Sequence, residues 1–122
     1  MNNISSNVTH AEMVTRLCKK GSEIVHTFTP FKAELLHHAV GISSESGELI
    51  DAVKKNFIYN QEPNLTNIIE ELGDLEFYME GMRQVLGITR EQTLQANKDK
   101  LAVRYQGLVY SDEQAKLRND KV

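Results

Sequence analysis

Seven apolar residues set the terms on which this chain can fold: Leu65, Ile68, Leu72, Leu75, Met79, Met82 and Leu86. Their spacing alternates between three and four without a break. That pattern keeps one face of an α-helix apolar along its whole length, and such a seam is hidden by packing against other helices. Gly87, directly after it, suits the left-handed residue that closes a helix. Nowhere does an apolar–polar alternation of period two run for more than a few residues, so no strand is expected. The seam therefore predicts an all-α chain.

The flanking segments fit the same architecture. Thr9 with Glu12 forms a capping box, followed by Met13, Leu17, Ile24 and Phe28 at roughly helical spacing. This predicts a first helix over about residues 10–27, with Gly21 as its weak point. Pro30 suits the first turn of a second helix, whose stripe is Leu35, Ala39, Ile42, Leu49, Val53 and Phe57. A turn-like stretch follows within Asn56–Asn64. Thr89 with Gln92 opens a fourth helix reaching about Tyr105, and Ser111 with Gln114 caps a short tail helix. The expectation is a four-helix bundle with a short C-terminal tail helix. Residues 1–122 form one domain in this reading, and residues 1–8 a loose polar arm.

Charge and composition remove several classes of function. Lys plus Arg number 14 against 17 Asp plus Glu, a net charge of −3. That leaves no electrostatic footprint for nucleic acid and no attraction to an anionic membrane. No apolar run approaches the roughly 20 residues of a membrane span. Cys18, the single cysteine, allows neither an intrachain disulfide nor a multi-cysteine zinc site. The first residues lack the basic and apolar regions of a signal peptide, so a cytoplasmic protein is expected.

Chemistry points to two acidic pairs. Glu45 and Glu48 lie i, i+3 on the second predicted helix, and Glu71 and Asp74 lie i, i+3 on the third. Residues three apart share a helix face, so each pair aims two carboxylates at one place. Gly41, Glu45, Glu48 and Ala52 form a line in which small residues flank two acids. The stretch Gly41–Glu48 holds two glycines and three serines, against helix propensity, and small residues let a neighbouring helix or ligand approach. A short connection makes the two helices antiparallel neighbours, which sets the pairs opposite one another. Four facing carboxylates repel unless a cation lies between them, and all-oxygen ligands suit Mg²⁺ or Mn²⁺. Acidic pairs on solvated helix faces are the common alternative. A di-iron site is another, and it draws a Glu-x-x-His from each of two helices.

Other side chains are candidates for binding substrate. Lys100 and Arg104, i and i+4 on the fourth helix with Asn97 before them, could clamp phosphates, Arg by two bonds and Lys as a point charge. A solvated basic face is the plainer reading of the same residues, and Lys54 is similarly ambiguous. His37 and His38 precede Glu45 by two turns and either pack or line a base pocket. Tyr78, i+4 from Asp74, is either core or a ring against sugar or base.

Three stretches of the chain resemble the motifs of MazG-like nucleotide pyrophosphohydrolases. Leu36–Lys55, with Gly41-Ile42-Ser43-Ser44-Glu45-Ser46-Gly47-Glu48-Leu49 at its centre, is similar to the first motif. Glu70–Tyr78, containing Glu71-Leu72-Gly73-Asp74, resembles the second, and Asn97–Tyr105 the third. The resemblance implies an all-α fold and hydrolysis of a (d)NTP to (d)NMP and pyrophosphate with Mg²⁺ or Mn²⁺. It implies Glu45, Glu48, Glu71 and Asp74 as metal ligands, Lys100 and Arg104 as phosphate contacts, and a homodimer or homotetramer. Many relatives carry two adjacent acids where this chain has Ser44 before Glu45, which makes Glu45 the first choice as general base. Their tail carries an Arg-Asp pair where this chain has Arg118, Asn119 and Asp120. A purine substrate such as dGTP is expected by analogy alone. A phosphoribosyl-ATP pyrophosphohydrolase and a non-catalytic nucleotide-binding or interaction module are the competing readings.

Overall fold

The seam is housed in a long helix of the computed structural model, which describes residues 3–121. Among the described residues six α-helices follow one another: α1 (His10–Leu17), α2 (Gly21–His26), α3 (Pro30–Ile58), α4 (Leu65–Leu86), α5 (Arg90–Arg104) and α6 (Asp112–Leu117). Single 3-10 turns lie at Ile4–Ser6 and Gln106–Leu108, and no strand occurs among the described residues. The all-α expectation holds. The chain divides into two compact units, Met1–Ala33 and Glu34–Val122.

In the first unit the capping box forms as expected. The Glu12 N–H donates to Thr9 Oγ1 at 3.1 Å, and the Thr9 N–H to Glu12 Oε2 at 3.0 Å. The continuous helix over 10–27 does not form. Cys18 leaves α1 with ψ 126°, Lys20 is extended with ψ 143°, and Gly21 starts α2. Bridging the break would put Gly21 in a helix interior, at a cost of about 1 kcal/mol. Neither α1 nor α2 buries a residue that would offset it. The arm expected over residues 1–8 contains the Ile4–Ser6 turn, and its first two residues lie outside the described ones.

The second unit is organised by α3 against α4. A Cβ built on Gly41 would fall on the Tyr78 ring, and one on Gly81 on the His38 ring. Glu45 meets Glu71 and Asp74 further along. As the number on α3 rises, its partner on α4 falls, so the helices are antiparallel. The two glycines set how closely they approach, and Ala52 is buried on the same line as Gly41 and Glu45. Asn60, with φ 50°, turns the chain, and Asn64 caps α4 by accepting the Asn67 N–H at 3.1 Å. Gly87, with φ 68°, closes α4.

Arg83 is the one charged residue buried as a whole, backbone and side chain together, among the described residues. It donates from Nη2 to Glu76 at 2.6 Å and from Nε to Glu80 at 2.9 Å. Burial of a charge is tolerated when opposite charges pair with it, and here two carboxylates do.

After α5, which opens on the predicted Thr89–Gln92 box, the chain folds back. Gly107 and Leu108 take positive φ of 69° and 56°, and α6 opens with the Gln114 N–H donating to Ser111 Oγ. The Gln106 N–H donates to Gln114 Oε1 at 2.6 Å, and the Tyr105 and Tyr110 rings lie 5.6 Å apart. Arg118, with φ 51°, ends α6 and brings Asp120 to Arg104.

Candidate active site

The α3–α4 register gathers the acids. One carboxylate oxygen from each of Glu45, Glu71 and Asp74 lies within 4.8 Å of the others. Glu48 is exposed and stands outside that triad, yet it is the strongest charge acting on Glu71. Glu71 Oε2 is buried without a hydrogen-bond partner. Burial first, and then Glu48, Asp74, Glu45 and Glu70, push the Glu71 carboxyl above the ordinary glutamate range. Each of these charges is a carboxylate, so they add to the repulsion on Glu71.

An orphaned oxygen among converging acids fits a hard divalent cation, whose ligands are carboxylate oxygens. Two Glu-x-x-His stretches do occur in the chain, Glu23–His26 and Glu34–His37. Neither histidine joins the cluster, which argues against the di-iron alternative.

An aromatic wall stands beside the acids. A cavity of about 300 Å³ is lined by Glu45, Asp74, Phe77 and Tyr78. The Tyr78 ring occupies the space over Gly41 and meets His37 edge-on at 6.0 Å, and His37 lies 5.5 Å from His38. Phe77 also lines a larger groove of about 860 Å³, with His38, Gly73, Gly81 and Val85. Tyr78 and His37 are therefore brought together beside the acids. Phe77 was missed in the sequence, where it lies off the apolar seam.

The cationic candidates sit elsewhere. Lys54 is exposed on α3, and Asn97 and Lys100 are exposed on α5. Arg104 donates from Nε and Nη2 to both oxygens of Asp120, at 2.6 and 2.9 Å. The Asp120 side chain is 2% exposed. That ion pair, reinforced by Lys100, holds the Asp120 carboxyl down at about 2. Its contribution to stability is present above the ordinary aspartate value of 3.8 and is lost as the pH falls from there through about 2. The sequence signal for this partner was the displaced Arg-Asp of the tail.

The model of the MazG nucleotide pyrophosphohydrolase domain matches residues 34–109, well over half of the chain. The chain belongs to that family. The match begins where the second compact unit begins, and it takes in both acidic pairs, Lys100 and Arg104. Neither the curated proteins nor the solved structures give a match. Membership assigns the MazG domain nucleotide pyrophosphohydrolase activity in general, in a family that is generally dependent on a divalent metal. No helix among the described residues is long and apolar enough to cross a membrane.

The raised Glu71 carboxyl makes a pH prediction. The folded metal-free domain binds this proton more tightly than the unfolded chain does. Stability in chelator should therefore rise as the pH falls from above Glu71's raised value to the ordinary glutamate value, and gain nothing further from this group below it. Urea midpoints measured from about pH 7.5 to about pH 4.5 should show the slope. Glu71→Gln should flatten it, and an unchanged slope in that variant would contradict the assignment. Cation binding should conversely release a proton.

Proposed function

We propose that this MazG domain hydrolyses (d)NTP to (d)NMP and pyrophosphate. The observation that carries the reading is the convergence of Glu45, Glu71 and Asp74 around an orphaned carboxylate oxygen, with Glu48 acting on it, beside an aromatic wall. Mg²⁺ or Mn²⁺ held by Glu45, Glu48, Glu71 and Asp74 supplies neutralisation of phosphate charge. Glu45 orients the attacking water and takes its proton as the water oxygen bonds to the α-phosphorus. The α–β bridging oxygen leaves with pyrophosphate. Tyr78 and His37 offer ring surfaces to the nucleoside. Lys54, Asn97, Lys100 and Arg104 bind the polyphosphate, and rate comes from positioning and electrostatics.

A homodimer or homotetramer is part of the proposal. Ala52 is the only apolar side chain buried among the described residues. On the seam itself Leu65 is 67% exposed and Leu72 50%. A helix face this apolar is covered in water, and a second copy supplies a complementary seam. It also offers a route for α5 cations to reach acids that have none nearby in their own chain. We propose that residues 1–122 act as one domain on the free nucleotides of the cytoplasm, with a purine, dGTP first, preferred.

The test is a panel of the eight canonical (d)NTPs with Mg²⁺ and with Mn²⁺, followed by product analysis. Monophosphate and pyrophosphate are expected. Turnover of phosphoribosyl-ATP alone would favour the related activity, and binding without turnover would favour a non-catalytic module. Mixing Arg104→Ala with Asp74→Asn subunits, after verified exchange, should restore activity if sites are shared between copies. An inactive mixture confines each site to one chain.

A further inference from the structure

The same ion pair that fixes the tail bears on catalysis, given the functional reading above. We propose that Asp120 is a positioning residue: it holds the Arg104 guanidinium by its Nε edge so that the opposite edge meets the triphosphate.

Three features carry this. The contact is bidentate, with Arg104 Nε and Nη2 each donating to its own Asp120 oxygen at 2.6 and 2.9 Å. A guanidinium has five donors in one plane, so fixing two through the Nε edge also fixes where the others point. Arg104 is not hidden by the pairing: its side chain stays 17% exposed, while the Asp120 carboxylate is 2% exposed. The buried partner is thus the carboxylate, while the guanidinium keeps part of its surface open and spends only Nε and Nη2 on Asp120. Lys100, one turn back on α5, acts on the same Asp120. Two cations against one carboxylate leave the cluster positive, as a phosphate contact requires.

The opposite reading makes Asp120 an internal competitor that a phosphate displaces. Burial and the tail's other fastenings oppose it. The Gln106–Gln114 bond and the Tyr105–Tyr110 contact hold residues 105–114 against the end of α5, so the tail that carries Asp120 is tethered by more than the ion pair. A plug built to leave would be exposed and singly attached.

The two readings predict opposite signs. Asp120→Asn should raise KM for the best triphosphate by about tenfold, with helical circular dichroism retained. In an Arg104→Ala background the same change should add less than about twofold, because the effect passes through Arg104. Asp120→Glu, which keeps the carboxylate, should recover most of the loss. A KM that falls in Asp120→Asn, or one that does not move, overturns the proposal, as does an equal rise in the Arg104→Ala background.

A measurement without any variant guards against a misfolded tail. The Arg104 Nε–H NMR signal should stay protected and shift when a non-hydrolysable nucleoside triphosphate analogue is added with Mg²⁺. Disappearance of that signal means Asp120 has been displaced, and an unmoved signal means Arg104 does not meet phosphate; either result overturns the proposal. A wild-type protein that releases no pyrophosphate from any nucleotide would instead overturn the functional reading on which the proposal rests.

Discussion

Replacing Asp74 by Asn should lower pyrophosphate release by roughly a hundredfold to a thousandfold at ordinary metal concentration. Glu48→Gln should behave alike. An amide keeps the volume of the carboxylate but loses the charge that holds a hard cation. The fold should survive, because α3 and α4 meet closely at Gly41–Tyr78 and at His38–Gly81, away from the acids. The clustered carboxylates of Glu45, Glu71 and Asp74, with Glu48 repelling Glu71, oppose folding without a cation, so each amide variant should melt no lower than wild type in chelator. The Mn²⁺ affinity of Asp74→Asn, measured by titration calorimetry, should fall in parallel with activity. If saturating Mn²⁺ restores turnover, Asp74 serves affinity alone. Near wild-type activity in both Asp74→Asn and Glu48→Gln would remove these residues from the metal site.

The elements legible in the sequence were those specified locally. The Thr9–Glu12 and Thr89–Gln92 boxes, the Gly87 closure and the Ser111 cap each need only residues within one turn. The seam of α4 was legible because its period is unbroken. The break between α1 and α2 was not, since it depends on the absence of a packed face, which no local pattern reports. The acids were legible as two i, i+3 pairs, and the antiparallel connection brings Glu45, Glu71 and Asp74 together, while Glu48 stays outside that triad. The Arg104–Asp120 pair spans sixteen residues and depends on positive φ at Gly107, Leu108 and Arg118, so spacing alone gave no partner for Arg104. Ser44 is exposed on α3. The small residues of Gly41–Glu48 have different surroundings: Gly41 admits Tyr78, Ser46 bonds back to the Ile42 carbonyl at 2.7 Å, and Gly47 faces open space.

That difference yields the second large effect. Gly41→Val should lower the melting temperature by roughly 10 °C, because overpacking a tight contact costs about 1–3 kcal/mol and each kcal/mol moves a domain of this size by several degrees. The added side chain would meet the Tyr78 ring, and this ring is backed by His37, His38 and Phe77, so it cannot swing aside freely. Separating α3 from α4 here also pulls Glu45 from Asp74, one turn further along, so activity should fall with stability. Gly47→Ala is the control with the opposite sign. Its Cβ meets no atom of the chain within 4 Å, so the change should leave packing alone and gain about 0.5–1 kcal/mol of helix propensity. Thermal melts of the two variants beside wild type decide the matter. If Gly41→Val melts like wild type, the α3–α4 approach does not depend on a glycine there. If Gly47→Ala melts lower, its Cβ meets a second copy of the chain, and the α3 face carrying Gly47 lies in the assembly interface.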